Sequence, residues 1–195
     1  MAPESGVTAD TSRDWSRAFK YILGRKRAEE ALGFLTECTR TLAGSWDHGA
    51  AIGDTLSLCV PFLADWCRVD VITPEGGTRQ LTGTVHVRLD VQQLERAGCG
   101  EQAVKDVYST RKARIAQPTA DERAGGVTEA ILMPLLAYDV IAGVLTMVAV
   151  ESRPSRHYGP EEIALVEALA GRIAVAIVVG DLRSQLARLT SRPTD

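Results

Sequence analysis

Five residues on two short segments have the types and spacing to hold a polar small molecule. Arg68 and Asp70 alternate within Trp66–Ile72. Thr82, Thr84 and His86 alternate in the segment after the Pro74-Glu-Gly-Gly77 turn. Side chains two apart on a strand share a face. The spacing therefore predicts a hairpin face with a cation, a carboxylate, two hydroxyls and an imidazole. Such a set can orient a polar ligand. The same set on a solvated sheet face binds nothing, and both readings stay open. Tyr108 is placed either to add an aromatic wall or to sit half-buried on a helix.

One imidazole is enough to ligate haem iron, but a single histidine on a polar strand is the plainer reading of His86, and no cofactor is expected. His48 and His157 fall near helix starts or loops. The cysteines, Cys38, Cys59, Cys67 and Cys99, contain no Cys-x-x-Cys pair and no accompanying histidine spacing, so no metal site is expected. Cys99 lies between Gly98 and Gly100, which marks it as the best candidate for an exposed, redox-active thiol. The other three fall on predicted helices or a strand, which argues against a thiol–disulfide cycle. The chain has no Gly-x-x-x-x-Gly-Lys-Ser/Thr loop, no Gly-x-Ser-x-Gly elbow and no His-Glu-x-x-His. No catalytic residue is assigned, and an enzyme is not expected.

The 195 residues are 45% hydrophobic and 24% charged, enough for one domain with its own core. A net charge of −3 gives nucleic acid no general attraction. The basic run of Lys20, Arg25, Lys26 and Arg27 is followed at once by Glu29 and Glu30, the pattern of a solvated helix face. No apolar signal run opens the sequence. With reduced thiols, this points to the cytoplasm. Residues 131–150 are apolar enough to pass for a membrane span. Asp139, Pro134, Gly143 and the β-branched residues instead predict two buried strands turning at Tyr138-Asp139, with no membrane contact.

The elements that must position these residues follow from periodicity. Residues 1–11 and 190–195 lack it and are expected as disordered tails. Thr11-x-x-Asp14 predicts the start of a long helix over 12–44, with Trp15, Phe19, Ile22, Ala28, Leu32, Leu35 and Leu42 on its apolar side. Asp47 is placed to cap a second helix bearing Ile52, Leu56, Cys59 and Leu63, and Pro61 distorts its last turn. Two alternating strands follow, then a helical segment over 90–112 broken at Gly98–Gly100. A short strand is predicted at Arg114–Gln117, a loop over 119–128, the apolar hairpin 130–150, and a closing helix opened by Tyr158-Gly159-Pro160. Adjacent strands bracketed by helices give an α+β fold with an antiparallel sheet.

The closing helix carries two apolar stripes. Val166, Leu169, Ile173 and Ile177 form one; Val175, Val179, Leu182, Leu186 and Leu189 form the other. One stripe can cover the sheet, and the other needs a partner. Trp15, Phe19 and Ile22 are expected to join the second stripe in a homodimer interface, a bundle of two helices from each chain.

Three parts of the sequence resemble the GAF domain family, across roughly residues 26–188: Leu63–Val71; Val107–Ile115 with Ala130–Leu135 and Ile141–Thr146; and Tyr158–Ala170. They are especially similar to the GAF domains that precede phosphatase or kinase domains in bacterial signalling proteins. The resemblance implies a central antiparallel sheet of five to six strands with long N- and C-terminal helices packed on one face. It implies a GAF domain over 45–189, preceded by a signalling helix over 12–44. It also implies a small-molecule pocket on one sheet face, roofed by the middle helix and loops. The roofing segment, about 88–113, is short, which leaves a shallow or vestigial pocket as the alternatives. The implied function is a non-catalytic sensor or regulatory module, homodimeric, answering to a small ligand or to a phosphatase or kinase partner. The Cys-His of bilin-binding members and the Asn-Lys-Phe-Asp-Glu pattern of cyclic-nucleotide-binding members are absent, so neither ligand is expected. No phosphatase or kinase domain fits within these residues. A thiol enzyme of the free methionine sulfoxide reductase type and a ligand-free dimerisation adaptor remain the alternatives.

Overall fold

Five antiparallel strands form the sheet, in the order β2-β1-β5-β4-β3. The structure is a computed structural model that describes residues 7–45, 47–72, 78–85, 91–118, 126–150 and 157–190. In chain order the elements are α1 (Val7–Ala43), α2 (His48–Phe62), β1 (Trp66–Ile72), β2 (Thr78–Val85), α3 (Val91–Arg96), α4 (Glu101–Thr110), β3 (Arg114–Ala116), β4 (Val127–Ala137), β5 (Val140–Val150) and α5 (Pro160–Thr190). The α+β expectation and the five-strand sheet hold. Turn 74–77 and His86 lie outside the described residues.

The chain divides into two units, one through Glu37 and one from Cys38. The first is α1 up to Glu37. It opens at Val7 rather than at the Thr11 box, so residues 7–11, expected in a tail, are helical. Nothing between Val7 and Asp10 breaks a helix, and Gly6 is the nearest breaker upstream. Arg25 pairs with Glu29 at 2.9 Å and Lys26 with Glu30 at 3.7 Å, one turn apart on a solvated face. The side chains of Trp15, Phe19 and Ile22 lie outside the described residues.

In the second unit, Asp47 caps α2 by accepting a hydrogen bond from the Ala50 amide at 3.1 Å. The backbone leaves helical geometry at Val60 and Pro61, where proline cannot continue the ladder. The helix buries Ile52, Leu56 and Cys59. It packs on β1, β2 and α5, and α5 packs on β4 and β5. The Cys67 thiol reaches the Leu56 carbonyl at 3.6 Å, so the odd-numbered face of β1 looks toward α2. The opposite face of the sheet is covered by α3 and α4.

The apolar stretch 131–150 folds as the β4–β5 hairpin. Its turn is Tyr138-Asp139, both at positive φ (50° and 61°), the handedness that two-residue hairpin loops require. On α5 the two stripes separate as their spacing predicts. Val166, Leu169, Ile173 and Ile177 are buried. Leu182, Leu186 and Leu189 are 59%, 63% and 69% exposed, and Val175 is also exposed. By length and composition α5 could cross a membrane, but its inner stripe is occupied by the sheet.

Candidate functional site

Arg68 and Asp70 come from alternate positions of β1 and sit under the α3–α4 roof. Arg68 Nε donates to Asp70 Oδ2 at 2.5 Å, and the two side chains are only 15% and 5% exposed. The guanidinium also lies over the Trp66 ring, 5.3 Å from its centroid. Burial pushes the Asp70 carboxyl above the usual aspartate range. Arg68 pulls against that rise, and Glu101, in the first turn of α4, adds to it.

Strand register places the next residue of the site. Arg68 stands opposite Thr146 on β5, which stands opposite Leu132 on β4, which stands opposite Arg114 on β3. Directly paired residues share a face. Thr146 is fully buried, and its Oγ1 has no hydrogen-bond partner among the described residues. Sequence reasoning missed Thr146 because it is one polar residue inside an apolar run. The signal was there, as a hydroxyl midway along a strand whose other residues are apolar or glycine.

The expected companions on β2 do not join this pair. Thr84 pairs with Cys67 and Thr82 with Val69. Their register positions therefore belong to the α2 face, opposite to that of Arg68. The register shifts between Val69 and Asp70, so that Asp70 stands across from Gln80. The single hairpin face expected for Arg68, Asp70, Thr82 and Thr84 is not formed. Tyr108 is half-buried on α4 and packs against the roofed core.

Most of the space under the roof is filled. Leu94, Ala97, Cys99, Val104 and Val107 pack against Trp66, Leu132, Val144 and Val148. Cys99, expected to be exposed, is completely buried. Its thiol donates to the Leu94 carbonyl at 3.3 Å, and burial pushes its pKa up to about 11. The flanking glycines let the chain turn inward between α3 and α4 and do not present the thiol to solvent. Cys38, Cys59 and Cys67 are also buried and in no disulfide. Burial raises the Cys59 thiol well above its ordinary range, and the neighbouring Cys67 and Cys38 add to this. Among the described residues no cluster of His, Cys, Asp and Glu could hold a metal ion.

A second site of polar chemistry ties β4 to the entry of α5. The buried Glu129 carboxylate accepts from the Tyr158 amide at 2.7 Å and from Gln117 Nε2 at 2.8 Å, and lies 3.0 Å from His157 Nδ1. These bonds position the chain before Pro160. On the α2–α5 side, a groove of about 600 Å³ runs along α5, lined by Leu42, His48, Gly171, Val175 and Val179 among others. It continues the exposed stripe.

Residues 49–177 match the family model of the GAF domain. No curated protein matches the chain. Solved structures share its fold. The GAF domain of a phosphoenolpyruvate-protein phosphotransferase from Coxiella burnetii is 17% identical with a TM-score of 0.60, covering 81% of this chain and 98% of that one. That of a putative sensor histidine kinase from Pseudomonas syringae pv. tomato is 15% identical with a TM-score of 0.60, covering 86% and 99%. The phycocyanobilin-bound GAF domain of a cyanobacterial phytochrome is 15% identical with a TM-score of 0.56, covering 78% and 96%. With a family match over most of its length and the five-stranded sheet roofed on one side and helix-backed on the other, this chain belongs to the GAF domain family.

Proposed function

We propose that the chain is a non-catalytic sensory or regulatory module of cytoplasmic signal transduction. It works as a homodimer paired through its terminal helices, and it answers to a small ligand or to a signalling protein such as a phosphatase or kinase. The family supports the sensory part: among its solved relatives are a GAF domain of a putative sensor histidine kinase and one that is phycocyanobilin-bound.

The outer stripe of α5 carries the pairing part. Val175, Leu182, Leu186 and Leu189 stand in water at spacings that keep them on one helix face. Each exposed leucine would gain about 1.5–3 kcal/mol if fully covered. Trp15, Phe19 and Ile22 repeat the same spacing on α1. The burial of Cys99 removes the one thiol on which an enzymatic reading rested.

Sedimentation velocity at micromolar concentration tests the pairing. A dimer is expected, and Leu182→Glu combined with Leu186→Glu is expected to give a folded monomer. A monomeric unaltered chain would overturn the pairing.

A further inference from the structure

The charged residues of α5 are sorted by side. Glu167 lines a cavity with Arg111, and Asp181 lines another with Arg79 and Asp47. Arg172 and Arg183 instead line the groove that α5 forms with the last turn of α1 and the start of α2. His48 stands in the same wall, and none of the described lining residues is acidic. In a chain of net charge −3, a groove with cations and no carboxylate departs from the average surface and attracts anions. It lies wholly within the unit that starts at Cys38.

Arg172 is half-buried and held in place. Its Nε donates to Thr39 Oγ1 at 2.9 Å, and its Nη1 donates to the Ala168 carbonyl at 2.6 Å. Both acceptors are neutral. The guanidinium is therefore fixed, while its charge meets no carboxylate among the described residues of the groove. A fork fixed in advance loses little freedom when a carboxylate meets it. Past Arg172 the floor is apolar: Val175, 39% exposed, and Val179 follow on α5, with Leu42 across from them. About 10 Å of helix separates Arg172 from Val179, and an alkyl chain spans that with about eight zigzag bonds of about 1.5 Å each. Arg183 lies about three turns beyond Arg172 on the same helix face. A fixed cation at the head of an apolar floor fits a molecule with an anionic head and a hydrocarbon tail.

We propose that this groove binds a soluble, single-chain carboxylate of medium length, with its head on Arg172 and its tail along Val175 and Val179. The proposal rests on the reading of the chain as a ligand-sensing module, and it names a ligand class for that module. The site is on the α2–α5 side of the sheet, the side opposite the α3–α4 roof. It shares Val175 and Val179 with the outer stripe, but Leu182, Leu186 and Leu189 are not among its described lining residues.

The full-length chain, labelled with ¹⁵N, would be titrated with hexanoate, octanoate and decanoate below micelle formation, and with 1-decanol as the uncharged analogue. The expected result is a saturable shift of the Gly171, Val175 and Val179 amide signals, with the Val104 and Val107 amides of the roof unmoved. Decanoate should bind with a dissociation constant of roughly 1 mM or tighter. Affinity should rise by up to about fourfold for each methylene added. Arg172→Gln removes the charge and should weaken decanoate about tenfold, the scale of a hydrogen bond to a charged group, while leaving decanol unchanged. Arg172→Lys keeps the charge and loses the fork, so it should fall between Arg172→Gln and the parent. Vesicles of anionic phospholipid, the other source of this chemistry, should not capture the chain.

The proposal is overturned if no carboxylate shifts the groove signals, if the roof amides move instead, or if decanol binds as well as decanoate. It is equally overturned if the Arg172→Gln chain binds decanoate as the parent does, or if the chain responds to the vesicles alone. Sedimentation of the same samples separates this failure from failure of the module reading. A dimer that binds no carboxylate overturns the ligand class alone.

Discussion

Gly180 on α5 passes so close to His48, the first residue of α2, that a Cβ at position 180 would lie 2.7 Å from the His48 Cγ. The contact sets how tightly the start of α2 approaches α5, and both residues border cavities on that side of the sheet. Glycine in mid-helix costs about 1 kcal/mol relative to alanine, and here that cost is exchanged for close packing.

Gly180→Ala should therefore destabilise the protein although it improves helix propensity. Overpacking costs of about 1–3 kcal/mol outweigh the propensity gain. Adding His48→Ala should restore part of the loss, because the obstructing ring is gone. Urea unfolding of the two single variants and the double variant gives the coupling. A Gly180→Ala chain more stable than the parent would show that the approach is not as close as described.

The Arg68–Asp70 pair gives a pH signature. Burial raises the Asp70 carboxyl in the folded chain, while in the unfolded chain it titrates near about 3.9. Between those two values the folded state holds more protons, so stability falls as pH rises through that window. Asp70→Asn should flatten this part of the stability–pH curve. Arg68→Ala leaves a buried carboxylate without its counter-charge and should cost about 3 kcal/mol at neutral pH. Denaturant melts from pH 3 upward, where that window opens in the unfolded chain at about 3.9, check both.

Cys99 should be chemically silent in the folded protein. With a pKa of about 11 and no exposed surface, it holds about one part in a thousand as thiolate at pH 8. Iodoacetamide should label it only after denaturant is added. The raised value also means that stability falls as pH rises from the unfolded thiol value, about 8.5, through about 11. Rapid labelling of Cys99 in native buffer would contradict its burial.

Glu129 anchors the segment that leads into α5, through Tyr158, Gln117 and His157. Glu129→Ala strands the Tyr158 amide and should cost about 2–3 kcal/mol, the scale of hydrogen bonds to a buried charged group. Hydrogen exchange should show the loss first at Tyr158 and the opening turn of α5. Uniform loss of protection across the sheet would instead mean that the anchor is not local.

Much of this chain is written in local patterns. The cap at Asp47, the Tyr138-Asp139 turn and Pro160 at the start of α5 each depend on a few neighbouring residues, and each stands where the sequence puts it. The two stripes of α5 are equally legible, because a helix face is fixed by spacing alone. Burial of Cys99 was not legible. Glycines on both sides suit an exposed loop as well as a tight inward turn, and only the packing of α3 and α4 selects between them.

The same divide runs through the candidate site. By itself the sequence determined that Trp66–Ile72 alternates, and hence that Arg68 and Asp70 share a face. It determined the α+β order of elements and the apolar face that α5 leaves open. Only the tertiary structure decided which residues meet that pair. A strand's partners depend on register, and a one-residue change in register turns every side chain of the partner to the other side. Here the register sets Thr82 and Thr84 against Val69 and Cys67, and it brings Thr146 from β5, distant in sequence, opposite Arg68. Local periodicity contains no term for that choice, because it is made by the burial of the whole sheet between two helical layers.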